Sequence, residues 1–582
     1  MAANMTATCD DVAPLGPAGV KRPTARVSPL VVVLGAILLI LILPPTVFLV
    51  AASFFTTAPD GSFGEFTLRY YEQLLTGRFF LPSLWNTIVY ATGSAAVALV
   101  LGTAQALIVE RTNTPGRKWV FLGAVISLGV PNVLYVVAWL LILGKAGPVN
   151  GFLAWLVGSP QVFLNVYSMW GMILIEGVNF VPLTFLLMSA VLRATDASFE
   201  EAAMMSGARP LTAFRTVTLR MGLPGILALL LLVFIRAFES FEVPALVGLA
   251  GDINVLTTEI YQRSRSSGSL NFGESGAYSV ILLAIVAGLL LWYNQLSRNA
   301  HQYQTITGKG YRPRIIDLGR ARYFTATILV VLFMLITGLP LGMLVFASLQ
   351  PFYEGITADS LQRFTLENYT VLLEFGMFRN AIVNTLVLGA ATATLVVPLT
   401  ALCAWLAARR QPGAWVLDQI ATAPLVFPAI VMSVAFLYIF VNLPIALYGT
   451  LTSIVIASAV RYLPYGMRYA YAGVLQIHTD LEDASMTAGA RQGSTFIRIV
   501  LPLLSAALAS AWLFVFLLAA QAVSLPLLLV GPGTEIVAVT LFDLWQNGQV
   551  TELASMGVLW VVLMTAVSAL FYVVARRHQV AV

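Results

Sequence analysis

The chain has 582 residues, of which 59% are hydrophobic and 10% are charged, and its formal net charge is +5. Soluble domains carry about 25% charged residues, so this composition excludes an ordinary soluble protein and indicates an integral membrane protein. The two cysteines, Cys9 in a polar tail and Cys403 in an apolar run, do not suggest a disulfide framework. No Cys/His spacing typical of a metal site occurs, and we expect no cofactor.

Apolar runs of membrane-spanning length follow a polar N-terminal tail, residues 1–28. A transmembrane helix needs about 20 predominantly apolar residues, and about twelve runs meet that criterion. They are predicted at 29–52, 84–108, 119–143, 168–192, 223–247, 277–297, 323–349, 381–407, 416–441, 449–474, 505–530 and 553–575. The sequence therefore predicts an all-α integral membrane protein with twelve transmembrane helices, surrounded by the lipid bilayer and without a nucleic-acid partner.

The positions of the basic residues predict the orientation of these helices. If the N-terminus is cytoplasmic, the segments on the cytoplasmic side carry 22 Lys and Arg residues and the outer segments carry 7. Cytoplasmic loops of membrane proteins are enriched in Lys and Arg. We therefore expect a multi-pass protein of the bacterial cytoplasmic membrane with both termini in the cytoplasm.

The two halves of the chain repeat each other. TLRYYEQLL at 67–75 matches TLENYTVLL at 365–373, and PNVLYVVAW at 131–139 matches PAIVMSVAF at 428–436. A unit with an even number of helices keeps both copies in the same orientation. We therefore predict two tandem six-helix units related by a pseudo-two-fold axis. Their boundaries are 29–297 and 323–582, and a basic cytoplasmic linker, 298–322, joins them.

Two polar stretches interrupt the apolar pattern at matching places in the two halves. They are EEAAMMSGARPLTAF at 200–214 and EDASMTAGARQGSTF at 482–496. Ser198 and Glu201 have the spacing of a helix capping box, and Gly207 and Gly489 can end a helix in the left-handed conformation. Each stretch is predicted to form a helix, a glycine turn and a second helix on the cytoplasmic surface. A generic amphipathic loop is the alternative for one copy, but the duplication favours a paired docking site.

These stretches resemble the EAA loop of ATP-binding cassette importer permeases. The resemblance covers nearly the whole chain and implies that each loop contains a coupling helix that docks on an ATPase subunit. The second copy departs from the pattern, because Asp483 and Ser485 replace a glutamate and an alanine. The residues that match are Glu201, Ala202, Ala203, Gly207 and Phe214 in the first copy, and Asp483, Ala484, Gly489 and Phe496 in the second.

Other parts of such a transporter are missing from the sequence. No G-x-x-x-x-G-K-[ST] loop for ATP occurs, so we expect a protein that is not an enzyme. The resemblance then implies two copies of a separate cytoplasmic ATPase and an extracytoplasmic solute-binding protein. The fusion of two halves in one chain resembles the ferric-iron permeases, which are similar to the permeases for thiamine, polyamines and 2-aminoethylphosphonate.

Charged residues within the predicted spans are candidates for a translocation path, because an intramembrane charge is costly. In IRAFESFEVP at 235–244, Arg236, Glu239 and Glu242 have the spacing of one helical face. The alternative is a structural cluster in which Arg236 pairs with Glu239, and Glu242 pairs with Arg461 or water. The predicted path residues are Asn179, Glu239, Glu242, Arg461, Gln521 and Ser524.

A second function remains open at this point. A twelve-helix secondary transporter coupled to protons could use Glu239 and Glu242 as proton carriers. The basic loop RTNTPGRKW at 111–119 has some likeness to a loop of such carriers, but it lacks the Gly and Asp expected before its arginine. Uptake that is independent of ATP and sensitive to uncouplers would favour this alternative.

Overall fold

The computed structural model describes residues 27–57, 63–159, 161–193, 197–209, 212, 216–217, 219–265, 272–301, 315–374, 376–442, 444 and 446–580. Most of these residues are helical. Strands β1 (Phe55–Thr57) and β2 (Phe63–Phe66) form a two-stranded antiparallel sheet directly after the first helix. The predicted coupling-loop residue Phe214 lies outside the described residues, as does the N-terminal tail up to residue 26.

The helices of the first half are α1 (Pro29–Phe54), α2 (Arg69–Thr76), α3 (Phe80–Arg111), α4 (Arg117–Gly129), α5 (Asn132–Leu143), α6 (Pro148–Val157), α7 (Met169–Asn179), α8 (Val181–Arg193), α9 (Ala197–Met205), α10 (Leu219–Phe238), α11 (Leu256–Arg265) and α12 (Phe272–His301). A π-helix, Pro244–Gly248, and a short 3-10 helix, Leu249–Gly251, lie between α10 and α11.

The helices of the second half are α13 (Ala321–Phe333), α14 (Leu339–Ser348), α15 (Ala358–Gln362), α16 (Glu367–Glu374), α17 (Gly376–Ala408), α18 (Trp415–Thr422), α19 (Ala429–Asn442), α20 (Leu451–Leu475), α21 (Asp480–Thr487), α22 (Gln492–Thr495), α23 (Leu501–Gln521), α24 (Val537–Gln546) and α25 (Val550–Val580). Two π-helices, Met334–Gly338 and Phe496–Val500, join α13 to α14 and α22 to α23. The 3-10 helices are Ala423–Val426 and Pro526–Leu528.

The structure confirms the all-α membrane fold, although the number of apolar spans is smaller than predicted. Among the described residues, 9 helices are long and apolar enough to cross a membrane, or 11 if two bent helix pairs each count as one span. The predicted span at 449–474 is present as α20 but is not among them. This helix contains Arg461 and Arg468, and much of it is buried against α17 and α23. A helix covered by neighbours needs less apolar surface than one that faces lipid.

The third predicted span is interrupted in both halves. In the first half, α4 ends at Gly129 and α5 begins at Asn132, so the continuous helix predicted at 119–143 is wrong. In the second half, the segments Trp415–Val426 and Ala429–Asn442 are bent by 102°. Pro131 and Pro428, which match in the repeat, stand at these breaks. Proline has no N–H to donate and disfavours helical backbone in the residue before it, which explains the interruption.

The fifth span is also shorter than predicted. Helix α10 ends at Phe238, so the helix predicted at 223–247 and the single helical face for Arg236, Glu239 and Glu242 are wrong. In the second half α23 ends at Gln521, the position that matches Glu239. Both breaks precede a matching proline, Pro244 or Pro526, and place polar side chains on irregular backbone. Within a membrane protein, such backbone is tolerated where it is buried or lines a cavity.

The two halves interlock through their first helices. Helix α1 packs against α12 of its own half and against α18 and α19 of the other half. In the same way, α14 packs against α25 of its own half and against α5 of the first half. The halves therefore bury surface on each other along these helices.

The end of the linker is bonded to the first half. Ile316 donates its backbone N–H to the carbonyl of Arg111 at 2.8 Å and accepts from the N–H of Asn113 at 3.2 Å. The Asp317 carboxylate accepts from the N–H of Gly319 and from the Asn113 amide, which together lower its pKa. The last part of the linker, from Ile316 to Asp317, is thus attached to the loop between α3 and α4.

Matching Asn and Thr side chains attach α3 and α17 to the loops after the fifth span. Asn86 donates to the carbonyl of Asn254 at 3.0 Å, and Asn384 donates to that of Glu535 at 3.0 Å. The hydroxyls of Thr87 and Thr385 accept backbone N–H bonds from Leu256 and Val537, the first residues of α11 and α24, at 3.0 and 2.8 Å. These four residues therefore have a packing role in the structure.

Candidate functional site

The first polar stretch forms a helix followed by a glycine turn. Helix α9 is described from Ala197 to Met205 and contains Ser198. Residues 194–196 and the side chains of Ser198 and Glu201 lie outside what the structure describes, so the predicted capping box stays a prediction. Gly207 has φ +91° and donates its N–H to the carbonyl of Met204 at 2.9 Å. The left-handed turn predicted there is confirmed. Ala202, Met205 and Gly207 are exposed, Ala203 is half-buried, and Glu201 lies within the helix.

The second stretch repeats this geometry. Helix α21 ends at Thr487, and Gly489 has φ +90° and donates to the carbonyl of Met486 at 2.9 Å. Helix α22 then begins and continues into the fifth span. Asp483, Ala484 and Gly489 are exposed, whereas Phe496 is buried and its ring lies 4.9 Å from that of Trp405. Each half therefore presents an exposed helix and glycine turn. In the second half, the buried Phe496 packs the segment after the turn against Trp405.

Glu482 attaches the second stretch to the end of α17. Its side chain is 8% exposed. One carboxylate oxygen accepts from Arg409 Nε at 2.8 Å and the other accepts from the indole N–H of Trp405 at 3.0 Å. A buried charge is stable only when it is paired and hydrogen-bonded, and both oxygens of Glu482 have partners.

A polar cluster joins the two halves within the spans. Arg236 donates to Glu239 at 2.8 Å and to the hydroxyl of Tyr465, in the other half, at 2.7 Å. Arg461 lies 3.9 Å from the same Glu239 oxygen and donates to the backbone carbonyls of Pro424 and Phe427. The other oxygen of Glu239 is buried and has no hydrogen-bond partner within the part of the chain that the structure describes.

Glu242 does not pair with Arg461, in contrast to one predicted alternative. It accepts a hydrogen bond of 2.6 Å from the hydroxyl of Ser524. The two residues occupy matching positions of the repeat. Equivalent positions of two related units can touch each other only near the axis that relates them, so this bond marks the pseudo-two-fold axis.

The other two predicted path residues, Asn179 and Gln521, each end a helix. Asn179 ends α7 and donates to the Asn132 side chain at 3.5 Å, a long contact. Gln521 ends α23 and is half-buried. Helices α7 and α8 meet at a bend of 48° directly after Asn179. In the second half α20 runs without a break past Arg461, so the halves differ in backbone as well as in side chain.

A further acid, Glu176, lies in α7 and is 2% exposed. The side chains of Ser240 and Asn179 are near its carboxyl group, and Glu242 is close enough to interact with it electrostatically. Its match in the second half is the buried Ser458. Glu176, Glu239 and Glu242 therefore all come from the first half, and the matching positions of the second half carry no acid.

The two halves each match the same protein family. Residues 98–302 and 396–580 match the family described as "Binding-protein-dependent transport system inner membrane component". The chain belongs to this family. The permease is accordingly a multi-pass inner-membrane protein, and its resemblance to ATP-binding cassette importer permeases is confirmed.

Similar curated proteins cover one or both halves of the permease. A Haemophilus influenzae protein named as a ferric transport system permease, FbpB 1, is 27% identical over 80% of the chain and 72% of its own length. The ferric transport system permease protein FbpB of Actinobacillus pleuropneumoniae is 25% identical over 93% and 78%, respectively. A Salmonella typhimurium protein named as a 2-aminoethylphosphonate transport system permease, PhnU, is 30% identical over 42% and 84%.

Two residues of the permease that are central to this geometry were missed in the sequence. Glu176 is an acid inside a predicted span, so the rule that selected Glu239 and Glu242 could have selected it. Glu482 stands one position before the acid that matches the loop motif, and nothing in the sequence shows that it is buried. Its partners, Trp405 and Arg409, lie more than 70 residues earlier in the chain.

Proposed function

We propose that the permease imports ferric iron as the membrane subunit of an ATP-driven, binding-protein-dependent importer. The observation that carries this proposal is that relatives named as ferric permeases align over 80% and 93% of the chain, across both halves. The relative named as a 2-aminoethylphosphonate permease aligns over 42%. It makes that phosphonate the second candidate cargo.

The exposed loops support a pair of ATPase contacts. In this proposal, two copies of a cytoplasmic ATPase dock on the two loops, and an extracytoplasmic binding protein delivers the cargo. The permease itself does not hydrolyse ATP. The coupling-loop residues proposed for docking are Glu201, Ala202, Ala203, Gly207 and Phe214, and Asp483, Ala484, Gly489 and Phe496. The buried side chain of Phe496 suits a supporting role better than direct contact.

The proposed organisation follows from the repeat and from the distribution of positive charge. Residues 1–28 form a cytoplasmic tail, 29–297 and 323–582 are the two six-helix units, and 298–322 is the linker. Both termini then lie in the cytoplasm. This orientation places both coupling loops on the side where an ATPase has access to ATP.

The polar cluster belongs to the proposed translocation path. The path comprises Glu239 and Arg461 of this cluster together with Asn179, Glu242, Gln521 and Ser524, and we add Glu176. A cation that enters this region meets three carboxylates, one of which has a free buried oxygen. The bonds from Ser524 to Glu242 and from Arg236 to Tyr465 cross between the halves and have to break if the halves separate there. Binding of ATP can drive such a change only if the loops bind the ATPase differently in the two states.

Reconstituted uptake tests this function. The permease, its ATPase and the binding protein are assembled in proteoliposomes, and iron-55 or labelled 2-aminoethylphosphonate is added with the binding protein. We expect iron uptake that requires ATP on the side of the vesicle membrane where the ATPase is bound. This uptake should persist when a protonophore is added. Uptake of 2-aminoethylphosphonate without uptake of iron would contradict ferric iron as the cargo and favour the phosphonate. Uptake without ATP that the protonophore abolishes would contradict the importer and favour a proton-coupled carrier.

A further inference from the structure

A buried or nearly buried arginine stands at the end of the second long helix in each half. Arg111 ends α3 and Arg409 directly follows α17, and the same offset in numbering separates Asn86 from Asn384. Arg111 is 4% exposed and donates to the backbone carbonyl of Leu192 at 3.2 Å. The side chain of Arg409 is 14% exposed and donates to the carbonyl of Ile477 at 2.9 Å. Both guanidinium groups thus hold the chain where it leaves the fourth span and approaches the coupling loop.

In the second half, the same arginine also binds the coupling helix itself. Arg409 donates to Glu482, near the start of α21, at 2.8 Å. Trp405 donates to the other oxygen of Glu482, and its ring packs on Phe496, which follows the glycine turn. Trp405 and Arg409 lie one helical turn apart, so both can bind the loop from one face of the chain. Two side chains therefore fix the coupling helix and the segment after the turn to one helix end.

Helix α17 leads from this attachment to the polar cluster. It packs along α20, which carries Arg461 and Tyr465, and along α23, which ends at Gln521. At its other end, Asn384 and Thr385 bind the loop before α24 and the first residue of that helix. Because packed helices transmit strain, a displacement of the α17 end that carries Arg409 would move the helices that hold the path residues.

We infer that Glu482 and Arg409 are positioning residues that lock the second coupling loop to α17, so that a movement which the ATPase imposes on the loop moves the second half. Trp405 completes this attachment as the second donor to Glu482. The inference rests on the proposed importer function. A cavity of about 340 Å³ borders Trp405, Arg409 and Glu482.

The test compares uptake with ATP hydrolysis in reconstituted complexes. Glu482→Gln removes the charge that Arg409 binds, and Trp405→Phe removes a single donor while it keeps a ring against Phe496. We expect Glu482→Gln to retain the ATPase on purification and to hydrolyse ATP within about twofold of the wild-type rate, while iron taken up per ATP falls about tenfold. For Trp405→Phe we expect a smaller fall in the iron taken up per ATP. The control is Glu354→Gln, at the exposed ion pair with Arg363, which leaves the ratio unchanged.

The outcomes separate this inference from the proposed function. If wild-type complexes show no ATP-driven uptake, the proposed function is wrong. If wild type transports and Glu482→Gln keeps its normal uptake per ATP, the inference is wrong, even when the variant melts at a lower temperature. Should Glu482→Gln fail to assemble, the double variant Glu482→Gln with Arg409→Gln decides by the same ratio, because it removes the ion pair and leaves neither charge without its partner. A normal ratio in that variant contradicts the inference.

Discussion

Gly207→Pro combined with Gly489→Pro is expected to abolish transport while the permease still inserts into the membrane. Both glycines have φ near +90° and donate an N–H to the carbonyl three residues earlier, at 2.9 Å. Proline fixes φ near −65° and has no N–H, so neither feature can persist. The helix after each turn then leaves in another direction, and the paired surface for the ATPase is lost. Uptake should fall at least about a hundredfold.

Gly548→Pro is the matched control for this experiment. Gly548 also has positive φ, +74°, and donates its N–H to Trp545 at 3.0 Å, in the turn between α24 and α25. Proline at this position is also incompatible with the positive φ and removes the N–H bond, but in a turn outside the coupling loops. Membrane-inserted protein, ATPase retained on purification and iron uptake are measured for all variants. Normal uptake by the double variant, or equal loss in the control, would contradict the role of the two turns.

Glu239→Gln combined with Glu242→Gln is expected to reduce iron uptake about tenfold or more at limiting iron. Glutamine keeps the size of each side chain but removes the negative charge. The free oxygen of Glu239 and the carboxylate of Glu242 then no longer attract a cation on the path. Ser524 can still donate to the glutamine at 242, so the contact across the halves is largely kept.

Stability has to be measured alongside uptake, because Glu239 also pairs with Arg236 and Arg461. A buried ion pair that loses one partner leaves the other charge uncompensated. Thermal unfolding of the purified variant reports this effect, and Glu354→Gln again serves as the control. Uptake within twofold of wild type in the double variant would show that these carboxylates serve structure alone.

The sequence predicts the repeated architecture well because hydrophobicity and repetition are both visible in one dimension. The positive φ of Gly207 and Gly489 was predictable for a local reason, since a glycine that follows a short helix commonly ends it. Helix interruptions were predicted less well. Pro131 and Pro428 stood in the predicted third spans, yet an apolar run on both sides suggested one continuous helix, and proline is tolerated inside some membrane helices.

The polar cluster shows where sequence reasoning reaches its limit. Arg236, Glu239 and Glu242 have helical spacing, but α10 ends at Phe238, and spacing alone does not show where a helix ends. The partners of these residues come from the other half: Tyr465 for Arg236 and Ser524 for Glu242. Such contacts depend on how two distant units pack, which no local pattern contains.

The composition of the intact complex tests the central claim most directly. The permease is gently purified from its own membranes, and the mass of the complex is measured by native mass spectrometry. One permease chain with two ATPase subunits is the predicted result, because a single chain carries both coupling loops. A complex with two permease chains for two ATPase subunits would contradict the pairing of loops within one chain. Repeated isolation of folded permease without any ATPase would contradict the importer itself.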